Sequence, residues 1–390
     1  MRSALWTVAA ALLLAGCPDG SVKMQLDSTL VQRPDDSSVE ADDSQAADDS
    51  QESGQPDDTE DTEDTEDTEP REFDILAHGL ECQEHLGVVP SFSCFDGEEI
   101  PVTQEGHPLG INDDYPTRCD RPAILGLGGR DGQCVPHARL GRIQGRTLSG
   151  QADPDVEWAF ICRRYNVPSE PDQHYFEDVA LIGQRKSTGA TCFFQALPSS
   201  GTPMGARIPS PTDLPEDVPA GEIAPEDLWL SPERTANIEC YFCHDSDPWI
   251  HTPHVDQLRV SDDRGEDVLL VPEIRTIDEP YFFVGSQYFN RWPQPTEIRP
   301  DDNACVACHR IGTHNTCRSF IHYATGAAWN SGLHTSMRQY PESHWMPPEL
   351  GGMTEEEWDE IFEASMEQLQ RCCSDPGRSE CNYGQVAGQP

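Results

Sequence analysis

Two short words hold the residues of this 390-residue chain best placed to do chemistry: Cys240-Tyr-Phe-Cys243-His244 and Cys305-Val-Ala-Cys308-His309. Each sets two thiols three positions apart with an imidazole directly behind them. Thiols at that spacing add across the two vinyl groups on one edge of a porphyrin. The following His turns its ring under the iron as proximal ligand. This is the pattern of covalent c-type haem attachment. Its double occurrence predicts two covalently bound haem c groups, their iron held by His244 and His309. The same residues serve other chemistries. A Cys-x-x-Cys is also a dithiol redox pair, and the two words together could furnish one tetrahedral zinc site, although they lie further apart than the usual zinc-ribbon spacing.

The start of the chain supplies a compartment in which such attachment can occur. Met1-Arg2 is a short basic segment, and Ala4 to Leu14 is apolar but too short to span a bilayer. It ends in Leu14-Ala15-Gly16-Cys17, which resembles the lipobox of bacterial lipoproteins. The resemblance implies cleavage after residue 16, lipid on Cys17, and a place in the cell envelope. Pro18 stands where an inner-membrane retention Asp would, so the outer membrane is favoured, at its periplasmic face or the cell surface. Haem attachment and disulfide formation both take place outside the cytoplasmic membrane. The cysteine count agrees. Of 15 Cys, Cys17 takes lipid and four belong to the words. An even set remains, six before the first word and four after the second. Each group is expected to close on itself, with neighbours Cys372 and Cys373 taking different partners.

Composition divides the chain further. Residues 18–72 hold 20 acidic and 3 basic residues and few aromatics, and Asp58 to Glu69 repeats Asp-Thr-Glu four times. Such a segment buries too little apolar surface to offset chain entropy, and reads as an acidic, disordered tether over 17–72. The net charge of −44 argues against nucleic acid as a partner and suits a redox protein with a basic docking face. The expected fold class is α+β, with a disulfide-rich, β-type domain over 73–225 followed by a mainly α, dihaem domain over 226–390. Val156 to Cys162 reads as a strand. Phe176 to Ile182 and Ala190 to Leu197 read as a hairpin around Lys186-Ser-Thr-Gly189. Ser231-Pro232 begins a helix expected to run into the first word, and Asp301 or Asp302 to cap one carrying the second. Thr354 with Glu357 forms a capping box that opens a helix bearing Trp358, Ile361, Phe362, Met366 and Leu369 at helical spacing.

The stretch from Cys305 onward resembles a class I cytochrome c in compressed form. The second word opens it, Met346-Pro347-Pro348 looks like the axial-Met loop, and the Thr354 helix looks like the C-terminal helix. The resemblance implies Met346 as distal ligand of the second haem, with His314, His322, His334 and His344 as competitors. The first word runs into His251 and His254, either of which could ligate its iron, against an open sixth position. Function is then single-electron transfer by a lipid-anchored dihaem cytochrome, with no catalytic residue. The alternative is a redox enzyme similar in outline to bacterial dihaem peroxidases, with an open first haem. A third reading keeps the haems structural or sensory.

Overall fold

The computed structural model describes residues 75–109, 119–121, 136–164, 176–197, 205–252, 254–261, 265–307, 309–317 and 355–388. The expected leader, Cys17 and the expected acidic tether lie outside them. So do Cys134, Cys308, His322, His334, His344, Met346 and the Thr354 cap. Among the described residues, no helix is long and apolar enough to cross a membrane.

The α+β class is observed, with sheet predominating. The strands, in chain order, are β1 (Glu98–Glu99), β2 (Thr103–Gln104), β3 (His107–Pro108), β4 (Arg139–Arg146), β5 (Ala152–Arg163), β6 (Asp178–Arg185), β7 (Ala190–Ala196), β8 (Arg259–Ser261), β9 (Asp267–Leu269), β10 (Phe282–Phe283), β11 (Thr296–Ile298), β12 (Ile311–Gly312) and β13 (Gly384–Gln385). The helices are α1 (Ile75–Leu86), α2 (Pro225–Leu228), α3 (Pro232–Asn237), α4 (Ser286–Phe289) and α5 (Glu355–Ser374). The main sheet has the order β1-β4-β5-β6-β7-β10. Its pairs are antiparallel except β10 beside β7, which is parallel. The expected hairpin is β6–β7, and the expected strand is part of β5.

Helix α1 has no counterpart in the sequence reading of a β-type region. Its buried positions Ile75, His78, Gly79, Cys82 and Leu86 follow a 3.6-residue period that was legible. Ile75, Cys82 and Leu86 join Trp158, Phe160, Leu181 and Phe194 in a core on one face of the sheet. The other face is also covered: Leu140 and Ala159 pack against Trp249, Val255, Leu270 and Val271. A sheet buried on both faces explains why Trp158 to Cys162 is a continuous apolar run and not an alternation. The first core also takes in Leu228, Trp229, Phe282 and Val284, so packing continues across residue 225.

Two large rings in the centre of β5 have glycines for cross-strand partners. Trp158 lies opposite Gly183 on β6 and Phe160 opposite Gly141 on β4. A Cβ on Gly183 would stand 2.3 Å from a Trp158 ring carbon.

The disulfides staple this frame. Cys82–Cys192 ties α1 to β7, and Cys94–Cys162 ties the chain before β1 to β5. Cys317–Cys373 and Cys372–Cys381 hold α5 to its surroundings. Cys119 is also disulfide-bonded. The described pairs stay within the two expected groups, and Cys372 and Cys373 do take different partners. Loops of 110 and 68 residues closed this way remove much of the unfolded chain's freedom. Along α5, Leu369 is buried while Ile361 is 53% exposed, so the expected apolar stripe is covered only in part.

Two outcomes follow. Gly183→Ala drives a methyl into the Trp158 ring and is expected to cost roughly 1–3 kcal/mol, read as a lower urea midpoint with an unchanged slope. His78 is packed between Phe194, Tyr288 and Phe289. Burial lowers its pKa from 6.5 to about 4, against a smaller opposing effect of the Phe193 backbone. The unfolded chain therefore takes up this proton first as pH falls. The stability His78 contributes is whole above pH 6.5 and is lost as pH drops toward 4. Between pH 7 and pH 5 this one group is expected to remove about 2 kcal/mol. His78→Leu should flatten the pH dependence of unfolding by that amount; an unchanged slope refutes the assignment.

Candidate functional site

The first word is set by a helix that stops short of it. Ser231 caps α3 as expected, its Oγ accepting from the Arg234 N–H at 3.3 Å, with Pro232 in the first turn. The helix does not run on into the word, however. Glu239 adopts a left-handed conformation (φ 61°) and breaks it, and Cys240–Phe242 form a separate 3₁₀ turn. The His244 N–H then donates to the Cys240 carbonyl at 2.9 Å. The second word repeats this shape. Cys305–Ala307 is a 3₁₀ turn, and the His309 N–H donates to the Cys305 carbonyl at 2.9 Å. Its cap is Asn303, whose Oδ1 accepts from the Cys305 N–H at 3.0 Å, and not Asp301 or Asp302. Asp302 is itself left-handed (φ 56°) and so lies outside the turn.

The free cysteines among the described residues are Cys240, Cys243 and Cys305. All belong to the words. Burial pushes the Cys240 and Cys243 thiols up to about 12 and Cys305 up to about 11. A dithiol exchange pair needs the opposite, an electropositive setting that favours thiolate. No group of three or more His, Cys, Asp or Glu side chains among the described residues is gathered to hold a metal ion.

Cys240 and His244 open into a cavity of about 170 Å³ between the sheet and the segment that follows the word. Leu140, Ile161, Ile182 and Phe193 form its apolar floor, and Trp249 and Val271 face them. His254 enters the same cavity. His244 and His254 are both neutral at pH 7, burial lowering each pKa to about 4. The Nδ1 of each is buried without a hydrogen bond of ordinary geometry. For His244, the nearby carbonyls of Pro248 and Asp247 only partly oppose the effect of burial. Phe193 meets the His244 ring edge-on at 5.3 Å, and the Tyr281 hydroxyl donates to the His244 carbonyl at 2.9 Å. His251 does not line the cavity; its Nδ1 lies 2.8 Å from Asp256 Oδ1. The structure thus brings Cys240, His244 and His254 together and sets His251 aside.

The two words are joined by residues that sequence reasoning passed over. Asp245 follows His244, and Arg310 follows His309. Asp245 is buried, its carboxylate accepting from the His314 N–H at 3.0 Å, the Thr316 N–H at 3.1 Å and the Thr316 hydroxyl at 2.6 Å. A Cβ on Gly312 would sit 2.2 Å from this carboxylate, so only glycine leaves it room. Burial nonetheless raises the Asp245 pKa to about 7. In return, the fully buried Arg310 guanidinium donates to the Ser246 carbonyl at 2.8 Å and to the carbonyls of Ile277 and Glu279. The Ser246 hydroxyl donates back to the Arg310 carbonyl at 3.4 Å, and Asn315 Nδ2 reaches Cys243 Sγ at 3.8 Å. Opposite charges at equivalent positions, each directly after a Cys-x-x-Cys-His word, were the available signal.

Around the second word, Val306 shares a small core with Ile298, Ile311, Leu369 and the Cys372–Cys381 disulfide, with Cys305 packed against it. His309 is half-buried.

Arg310→Met leaves three backbone carbonyls without their charged donor and is expected to cost roughly 3–5 kcal/mol. Thr316→Val, which removes one hydroxyl from Asp245, is expected to cost about 1–2 kcal/mol. Urea denaturation ranks the two, and equal, near-zero effects would show that the words are not held by these contacts. Compared with protein-family models, with curated proteins and with solved structures, the chain matches none.

Proposed function

We propose that this chain is a lipid-anchored, dihaem c-type cytochrome that transfers single electrons in the bacterial cell envelope. The observation that carries the reading is the division of the cysteines. The described cysteines outside the words are all consumed in disulfides, while those of the words stay free. One of them faces an apolar cavity that also receives two neutral, buried imidazoles.

Cys240 and Cys243 would hold the first haem through thioethers, with His244 as proximal and His254 as distal ligand. Cys305, Cys308, His309 and Met346 would hold the second. Haem iron supplies a one-electron ferric–ferrous couple whose potential follows axial ligand, burial and nearby charge. The protein's part is to hold the imidazoles neutral, exclude water with Leu140, Ile161, Ile182 and Phe193, and keep the two attachment turns together through Asp245 and Arg310. No proton has to move. The presence of His254 in the cavity favours a six-coordinate first haem over the open site that a peroxidase-like enzyme requires. The packing of Leu369 on α5 near Val306 in the second word supports a compressed class I cytochrome c unit over residues 305–390. The acidic surface suits a redox partner with a basic docking face, and Cys17 would carry the lipid.

Mature protein from a host competent in c-type haem attachment is expected to give a pyridine haemochrome of two haems per chain. Cys240→Ala with Cys243→Ala should give one, and both ferric irons should be low-spin. His254→Ala should turn one of the two high-spin, seen by electron paramagnetic resonance. A wild type already high-spin at one iron and consuming peroxide points instead to the peroxidase-like enzyme. A chain carrying no haem ends both readings.

A further inference from the structure

The segment that follows the second word is built against the first. It is fixed at both ends. Ile311 and Gly312 pair with β11, and the Thr313 N–H donates to the Thr296 carbonyl at 3.2 Å. Cys317 is closed on Cys373. Between these points three successive residues reach the first word. The His314 ring meets Tyr241, inside that word, edge-on at 5.7 Å. The His314 and Thr316 N–H groups hold the Asp245 carboxylate. Asn315, between them, extends its side chain to Cys243, with Nδ2 3.8 Å from Sγ.

Asn315 is 3% exposed, and its Oδ1 is buried without a hydrogen-bond partner. A buried amide with an unpaired oxygen is costly, and a leucine of similar size would fill the space without that cost. The hold on Asp245 does not depend on the amide either, since it uses backbone N–H groups and the Thr316 hydroxyl. What Asn315 adds is an N–H directed at the Cys243 sulfur. A thioether sulfur carries no proton and can only accept, so the donor end of an amide suits it. The positive end of that N–H dipole, beside a sulfur bonded to the porphyrin edge, favours the form of the haem that holds the added electron. Hydrogen bonding around a redox group is one of the means by which a protein sets its potential.

We propose that Asn315, carried on the segment after the second word, donates from Nδ2 to the thioether sulfur of Cys243 and raises the midpoint potential of the first haem. The proposal rests on the haem reading. It gives the segment after the second word a role in the first site that neither word implies by itself. Asn315 is a positioned donor to the sulfur and not a ligand of the iron.

The test uses full-length, matured protein carrying Asn315→Leu or Asn315→Asp, with haem counted by pyridine haemochrome. Both variants are repeated in a chain with Cys305→Ala and Cys308→Ala, which is to carry the first haem alone and so assigns the midpoint. A redox titration reads the potentials, and resonance Raman reads the carbon–sulfur stretching band. With the first haem attached, Asn315→Leu is expected to lower its midpoint. Poised at the wild-type midpoint, the ferric form should then exceed the ferrous by roughly two- to fivefold. Asn315→Asp, which sets a carboxylate where the N–H was, should lower the midpoint further. The carbon–sulfur band should shift in both variants, while the second haem keeps its midpoint. A purely structural Asn315 would leave midpoint and band in place once haem is bound. Unchanged midpoint and band in Asn315→Leu with two haems bound therefore overturn the proposal and leave the haem reading standing. Where the Leu variant does not retain haem, the Asp variant, which keeps the shape of the side chain, decides: a midpoint at or above that of the wild type overturns the proposal. Loss of the first haem from both variants assigns Asn315 to folding alone and overturns it too. A wild type without haem overturns both readings.

Discussion

The rest of this site depends on an exchange of buried polar contacts between the residues that follow the two words. Asp245 reaches from the first word to the backbone after the second, and Arg310 reaches back to Ser246 and to the carbonyls of Ile277 and Glu279. Groups of this kind are expensive to bury, and each is tolerated because its hydrogen bonds are satisfied, those of Asp245 by the segment after the second word and those of Arg310 by Ser246 and by the carbonyls of Ile277 and Glu279. The carboxylate sits in a nest that Gly312 leaves open. Neither segment could slide by a residue without stranding a charge. The specificity of the arrangement comes from this mutual dependence more than from apolar burial, which would accept several registers.

The sheet plays two parts with its two faces. One face closes a core with α1 and is pinned by Cys82–Cys192 and Cys94–Cys162. The other becomes the floor of the cavity beside the first word. A site built on paired strands inherits their rigidity: Leu140, Ile161 and Ile182 are each paired on both sides, and Phe193 is paired with Ile182. The glycines opposite Trp158 and Phe160 let the large rings lie across the neighbouring strand, and they fix the register that aligns Ala159, Ile161 and Arg163 on the cavity face.

Charge is distributed with the same economy of place. The chain is strongly acidic, yet the cavity has arginines and no carboxylate among its described lining residues. His244 and His254 are neutral because burial disfavours their charged forms. The thiols of the words are held protonated for the same reason. The setting suits covalent bonding and coordination better than thiol–disulfide exchange.

The sequence by itself determined the elements whose signals are local. The Cys-x-x-Cys-His spacing, the Ser231 cap, the β6–β7 hairpin and the long helix ending near Ser374 each depend on neighbours a few residues apart, and such rules act before any tertiary contact forms. The even division of cysteines was readable because pairing within each group closes the shorter loops. The sequence did not determine which histidine meets the first word. His251 and His254 are three residues apart and chemically alike, and only the packing of Val255 and Trp249 against the sheet turns one into the cavity and leaves the other on Asp256. Nor did it determine that β5 would wall that cavity, or that Asp245 and Arg310 would answer each other. Those contacts join residues 64 or more positions apart. No local periodicity encodes them, and they exist only once the chain has folded back on itself and taken the charges out of water.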